Sequence, residues 1–384
     1  MTTVFNRGSG NWNATGTWNP AVVPTNADNI VLNFFRSSDP NADYQVSLDG
    51  TGSALNLTIG NHNSLAISGG TFGGTLTVGD ALVIADGGTL SGIGKIFAHS
   101  INNAGIIEGT EFFPLTINSD TPLINTGQLL ADVGSLTVTG SLDNFGTVHA
   151  SESMKLGSVT NSGDVISSGF GAKLTVEGTL DNSGLVEAIN DGADILVHGA
   201  TTNSGTVLAQ GDFFTSTIEF FAGVTNSGRM QANYRGELDF DAGVVNKSGG
   251  QLIDDGGTMN IDGAATGGTA LIESSGTVHF NGSASIDTTT SVKFQGGGQF
   301  ALGHSGNYTG SVSGFGIGDS IDVTDIGFVS GKDSYNPGTD ILTLSNGTHT
   351  TKIQLVGVYT ANDFTFGSDG HGGTLISWHG HAIV

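Results

Sequence analysis

The chain has 384 residues, with 63 Gly, no Cys, only 12% charged residues and a formal net charge of −24. Gly has no three-residue period and Pro numbers only 6, which excludes a collagen helix, and 37% hydrophobic residues with so few charges exclude a charge-driven disordered chain. The acidic balance excludes nucleic-acid binding through phosphates, and the lack of Cys excludes thiolate-metal and redox chemistry.

Residues 1–50 hold Trp12, Trp18, Pro20, Pro24, Phe34, Phe35 and Pro40, denser in aromatics and Pro than the repeat that follows. The first residues lack the basic and apolar regions of a Sec signal peptide, and no run of 18 apolar residues is present, so no membrane span is expected. The segment is expected to cap a repeat array, whose end is otherwise a bare edge. A second reading makes Trp12 and Trp18 a platform for stacking on sugars.

From about residue 51 to 300 the sequence repeats. An Asn-x-Gly triplet starts at Asn103, Asn125, Asn144, Asn161, Asn182, Asn203 and Asn226, and Asn246 opens a broken version, a mean spacing of about 20 residues. Apolar residues such as Leu123, Leu142 and Leu180 stand two positions before the Asn, others such as Leu129, Val148 and Val165 four after it, and small ones such as Ala131 and Ala150 six after it. Between these columns lie apolar-x-apolar triplets, among them Leu115 with Ile117, Leu136 with Val138 and Leu238 with Phe240. Offsets of two mark one face of a strand, and a helix would tolerate neither this period nor this much Gly. The expected fold is therefore all-β, a solenoid of about 20-residue coils. Stacked Asn amides are expected to hydrogen-bond from coil to coil, with the adjacent Gly at a turn of positive φ.

Leu-Thr-Val, Asn-Ser-Gly and Gly-Thr-Val at this spacing resemble the right-handed parallel β-helix repeats of autotransporter passengers and filamentous-haemagglutinin-type adhesins. The Trp12, Trp18 and Val23–Asp28 region is similar to the entry segment of such passengers. The resemblance implies fold strongly and function weakly, since adhesins, matrix proteins and enzymes share these repeats.

Residues 301–384 lose the Asn-x-Gly register and read as short strands at 321–323, 341–344, 353–355, 364–366 and 375–378. Gly314-Phe-Gly-Ile-Gly-Asp319-Ser-Ile-Asp322-Val, Leu355-Val-Gly-Val-Tyr359 and Asp369-Gly-His-Gly-Gly373 resemble the C-terminal regions of type I secreted (RTX-type) proteins. The resemblance implies a C-terminal, uncleaved export signal and an extracellular or cell-surface location. The tandem Gly-Gly-x-Gly-x-Asp nonapeptides of the calcium-binding β-roll are absent from the sequence.

No cofactor is required by the sequence. Calcium candidates are Asp319 and Asp322, carboxylates near Gly turns, set against their reading as ordinary strand and turn carboxylates. His371, His379 and His381 cluster near the end of the chain and read as a solvated tail or a transition-metal site. The densest charged patch is Arg229, Tyr234, Arg235, Glu237, Asp239 and Asp241. Glu237, Asp239 and Asp241 alternate with Leu238 and Phe240 and so share an outer face. With Arg235 they are the catalytic candidates if the protein is a polysaccharide lyase or hydrolase; the other reading is a solubilising strand face. No nucleophile-elbow or phosphate-loop context is found.

The sequence thus points to a secreted structural or adhesive protein of a surface layer or biofilm matrix. The alternative is a carbohydrate-active enzyme on the same scaffold. Expected partners are further copies of the chain and surface glycans. The Gly-rich stretch 296–318 is expected to cover the far end thinly and so to favour head-to-tail filaments, assembly that salt or calcium would promote by screening the net charge.

Overall fold

Alternation of apolar and polar residues with period two leaves each short segment one buried face, and parallel stacking of such segments closes a narrow core. In the computed structural model, which describes residues 2–39, 42–70, 72–282 and 288–380, the chain is all-β, a parallel β-solenoid of about 13 turns with about 21 residues per turn. It divides into two units, 1–185 and 186–384.

A coil of the first unit shows the rule. Leu115–Ser119, Leu123–Asn125 and Gln128–Ala131 are its three strands, and the next coil repeats them as Leu136–Val138, Leu142–Asn144 and Thr147–Ala150. Registers are strict: Leu115 faces Leu136, Asn125 faces Asn144 and Leu129 faces Val148, all in parallel. Leu115, Ile117, Leu123, Leu129 and Ala131 are fully buried. The first two strands of each coil belong to one sheet and the third to another.

The Asn column is a buried ladder. In the first unit Asn103, Asn125, Asn144 and Asn161 each donate Nδ2–H to the Oδ1 of the next Asn, at 2.8, 2.7, 2.7 and 2.8 Å, Asn182 accepting the last of these. The other amide hydrogen meets a main-chain carbonyl of the following coil, such as Asp164 O from Asn144 at 3.0 Å. In the second unit Asn203 and Asn226 continue the pattern to Asn246 at 2.8 and 2.9 Å. Asn246 turns its own amide to Gly250 O, and the next coil carries Gly267 and Gly268 at this corner.

The triplet Gly has a different cause from the one expected. Gly127, Gly146 and Gly163 are absent from the residues at positive φ. Instead a Cβ on Gly146 would lie 2.2 Å from Gly127 O, and one on Gly163 2.1 Å from Gly146 O. Coil-to-coil approach of backbone, not turn handedness, demands glycine here.

Both ends of the sequence contribute more to the solenoid than expected. Thr3–Asn6 pairs in parallel with Asn29–Leu32, which pairs in parallel with Asn56–Ile59, so parallel stacking begins well before residue 51. Trp12 and Trp18 are fully buried, edge to face at 5.2 Å, with Trp18 Nε1 donating to Trp12 O at 2.7 Å. They plug the first coils and cannot serve as a sugar platform. Trp18–Asn19 pairs antiparallel with Thr3–Asn6 and covers that edge.

At the other end, Gly298–Leu302 pairs in parallel with Asp319–Val323, so a coil continues past residue 300. The stretch expected to be thin buries Phe300, Leu302, Tyr308 and Phe315. Beyond it the pairing turns antiparallel: Thr374–Trp378 on Asp319–Val323, then Phe364–Ser368 on Thr374–Trp378. All five strands expected in this region are present, joined by Ser311–Ser313 and Ser334–Asn336. Tyr335, Tyr359 and Phe364 pack together at 4.8–5.9 Å between centroids. The far end of the second unit is therefore covered, which removes the bare-edge argument for head-to-tail growth.

Candidate functional site

The acidic face lies on Gly236–Phe240, where Leu238 and Phe240 turn inward and Glu237 and Asp239 outward. Parallel register puts Glu219 opposite Asp239 on one side and Asn260 on the other. Asn260 Nδ2 donates one hydrogen to Glu237 Oε1 and one to Asp239 Oδ1, each at 2.7 Å. A neutral amide thus clips the two carboxylates together. Burial, and then neighbouring carboxylates, push Glu219 and Glu237 above the usual carboxylate range. Asp239 moves the same way, again chiefly by burial, with the Asn260 bond opposing.

Arg235 does not join this group. It sits in the left-handed region at φ +52°, its guanidinium bonds the Phe213 carbonyl and lies 5.4 Å from the centre of the Tyr234 ring. Of the four catalytic candidates, the structure brings Glu237 and Asp239 together, leaves Asp241 at the end of the strand, and turns Arg235 into the neighbouring connection.

Asp319 and Asp322 stand three apart on one strand and so face opposite ways. Asp319 points inward, accepts from Gly316 N at 2.6 Å, and is pushed up to about 6 by burial. Asp322 faces outward near Asp369 and His371. The two do not form a joint calcium site. His379 bonds Thr365 Oγ1 at 3.1 Å, and His381 lies outside the described residues. Among the described residues no group of three His, Asp or Glu is placed to hold a metal ion, and no helix is long and apolar enough to cross a membrane.

Sequence reasoning missed an aromatic corner. Each coil must turn from its third strand into the first strand of the next coil, and in the first unit this turn carries Phe72, Phe112, Phe113, Val133 and Phe170. Phe72, Phe112 and Phe170 are 76, 88 and 79% exposed. Phe113 sits edge-on between Phe72 and Phe112, at 5.4 and 5.7 Å. The contact with Phe72 spans the coil whose turn is only Gly92-Ile93-Gly94, too short to push the rings apart. In the second unit the same turn exposes Phe213, Phe214 and Tyr234. Tyr234 borders a shallow groove of about 490 Å³ lined by Gln210, Asn233, Asp255, Ser274 and Ser275. A polar groove of about 270 Å³ in the first unit is lined by Gln45, His62, Ser64, Thr89 and Ser91. The available signal was Phe standing two to four residues before an apolar-x-apolar triplet, as in Phe112, Phe113 and Leu115.

No family model, curated protein or solved structure matches the chain.

Proposed function

We propose that the protein is a secreted structural or adhesive element of a surface layer or matrix, and that it holds neutral glycan chains along its aromatic corner. The observation that carries this reading is the set of exposed rings at this corner, Phe72, Phe112 and Phe113 in contact with one another through Phe113 and Phe170 three turns further on. Large aromatics exposed at one corner leave apolar area in water that a partner would cover. Pyranose rings present flat C–H faces suited to such rings, and the polar grooves beside the coils supply hydroxyl and amide partners. The net charge of −24 disfavours anionic polymers and anionic lipid surfaces, so the glycan proposed here is a neutral one.

Sedimentation with insoluble cellulose or chitin tests this. The wild-type protein should be depleted from solution by a neutral polysaccharide and not by calcium alginate gel. At about 1 kcal/mol per stacked ring, Phe72→Ser, Phe112→Ser and Phe170→Ser together should weaken retention by about two orders of magnitude. Equal retention of the triple variant would overturn the reading. Failure to bind any neutral glycan, with concentration-dependent association that the triple variant loses, would make the corner a contact between copies instead.

Export through a C-terminal signal is part of the same proposal, supported by the resemblance of residues 301–384 to type I secreted proteins. Deleting that region would also remove a coil and the cap, so the test is fusion. Residues 301–384 appended to an inert cytosolic reporter should direct it out through a type I system, and retention of the fusion in a cell that exports the parent chain would refute the signal.

A further inference from the structure

On the outer face of the first unit, three consecutive coils each contribute one polar residue to a single hydrogen-bonded chain. Asp132 follows the strand Gln128–Ala131, His149 lies in Thr147–Ala150 and Ser168 ends Asp164–Ser168. Register aligns Leu130, His149 and Ile166, so Asp132 and Ser168 stand diagonally to either side of the imidazole. Asp132 Oδ1 lies 2.6 Å from His149 Nδ1, and Ser168 Oγ 2.7 Å from His149 Nε2. A carboxylate only accepts, so Nδ1 carries a proton, and in the neutral ring Nε2 is the acceptor for the Ser168 hydroxyl.

Two other His–Asp contacts bridge coils of this unit, His62 with Asp43 at 3.2 Å and His99 with Asp120 at 3.3 Å. Both are looser and more exposed, and among the described residues neither has a hydroxyl on its second ring nitrogen. The His149 and Asp132 side chains are 26 and 34% exposed, shielded enough to hold one geometry and open enough to meet a substrate.

We propose that Ser168, His149 and Asp132 form a nucleophilic site that hydrolyses neutral carboxylic esters, a chemistry separate from glycan retention. Ser168 is the nucleophile, His149 the general base and acid, and Asp132 the residue that holds the ring and its tautomer. As Ser168 Oγ bonds to the ester carbonyl carbon, its proton passes to Nε2 and the carbonyl becomes an oxyanion. The oxyanion re-forms the carbonyl, the ester C–O bond breaks, and the departing alkoxide takes the proton from His149 as an alcohol. Water then attacks the acyl-Ser168 ester, gives a proton to Nε2 and releases the carboxylic acid as that proton returns to Ser168 Oγ. The turn after the nucleophile, Gly169-Phe170-Gly171, has both glycines at positive φ, +111° and +72°. Its Gly169 N–H is the backbone group we assign to the oxyanion. Phe170 and Val133, both exposed, flank the site and suit an apolar acyl or aryl group. Glu108 and Glu152 stand on neighbouring positions and disfavour an anionic substrate.

The test uses the full chain, a fluorophosphonate probe, and p-nitrophenyl acetate and butyrate. The probe should add covalently to Ser168, located by peptide mass, and ester hydrolysis should fall at least 100-fold in Ser168→Ala and at least tenfold in Asp132→Asn. Ser227→Ala, in the other unit, should keep full activity, and an unchanged melting curve for Ser168→Ala would show that the loss is chemical. No adduct on Ser168, or equal hydrolysis by wild type and folded Ser168→Ala, would overturn the proposal and leave a cross-coil polar contact.

Discussion

Asn144→Ala should destabilise the first unit by about 3 kcal/mol, read as the shift in urea unfolding. Asn144 is fully embedded in the ladder: its Oδ1 receives Asn125 Nδ2 at 2.7 Å, and its amide gives one hydrogen to Asn161 Oδ1 and another to Asp164 O. Removing it orphans a buried amide hydrogen of Asn125, the buried Oδ1 of Asn161 and the part-buried Asp164 carbonyl, and each such group costs about 1–3 kcal/mol unless the strands shift to re-pair it. Asn13→Ala, on the exposed surface of the first coil and outside the ladder, should stay within about 0.5 kcal/mol. Equal shifts at the two positions would mean that the column carries no special weight.

Asp254→Asn should change the pH dependence of stability strongly. Asp254 occupies the inward column held by Ala232 in the coil before and Ile272 in the coil after. It is fully buried; Oδ1 accepts Gly257 N at 2.8 Å, and Oδ2 has no partner. Burial pushes its carboxyl up to about 7, with Asp255 adding to the effect. Because the folded value lies above the unfolded one, the folded state keeps a proton between about pH 4 and pH 7 that the unfolded chain has released. The contribution is therefore complete below about pH 4, is lost as pH rises toward 7, and amounts to about 4 kcal/mol over that window. The Asn variant keeps the acceptor for Gly257 and cannot ionise. It should match the wild type near pH 4 and exceed it by up to about 4 kcal/mol at pH 8. Asp319, also raised, remains in the variant, so a smaller decline between about pH 4 and 6 should persist. Parallel pH profiles for the two proteins would show that Asp254 is not the buried acid responsible.

The coil and its Asn column could be read directly from the sequence because each coil contributes one residue to each column. Asn125, Leu123 and Leu129 announce the same three places in every repeat. The ends could not be read this way. Asn29–Leu32 stacks on Asn56–Ile59 without an Asn-x-Gly turn, and Asp319–Val323 stacks on Gly298–Leu302 through Gly-rich connections, so their coils lack the marker. The role of Gly146 was misread because close approach and positive φ both select glycine, and only the 2.2 Å clash with Gly127 O separates them. The acidic strand face was legible from alternation, whereas the turn of Arg235 toward the Phe213 carbonyl was not, since it depends on a left-handed backbone. Asp132, His149 and Ser168 escaped notice because a nucleophile was sought in a local motif. Their spacings of 17 and 19 residues are coil lengths, and stacking the sequence by coil would have set the three side by side.

The most direct measurement of the proposed role is a titration of ring-¹³C-Phe-labelled protein with a soluble neutral oligosaccharide such as cellohexaose, followed by NMR. The account predicts saturable shifts confined to the exposed rings of the corner, Phe72, Phe112, Phe113 and Phe170, with the core rings Phe220, Phe240 and Phe300 unmoved. Saturable binding that leaves the corner rings unshifted, or no binding of any neutral oligosaccharide, would contradict it.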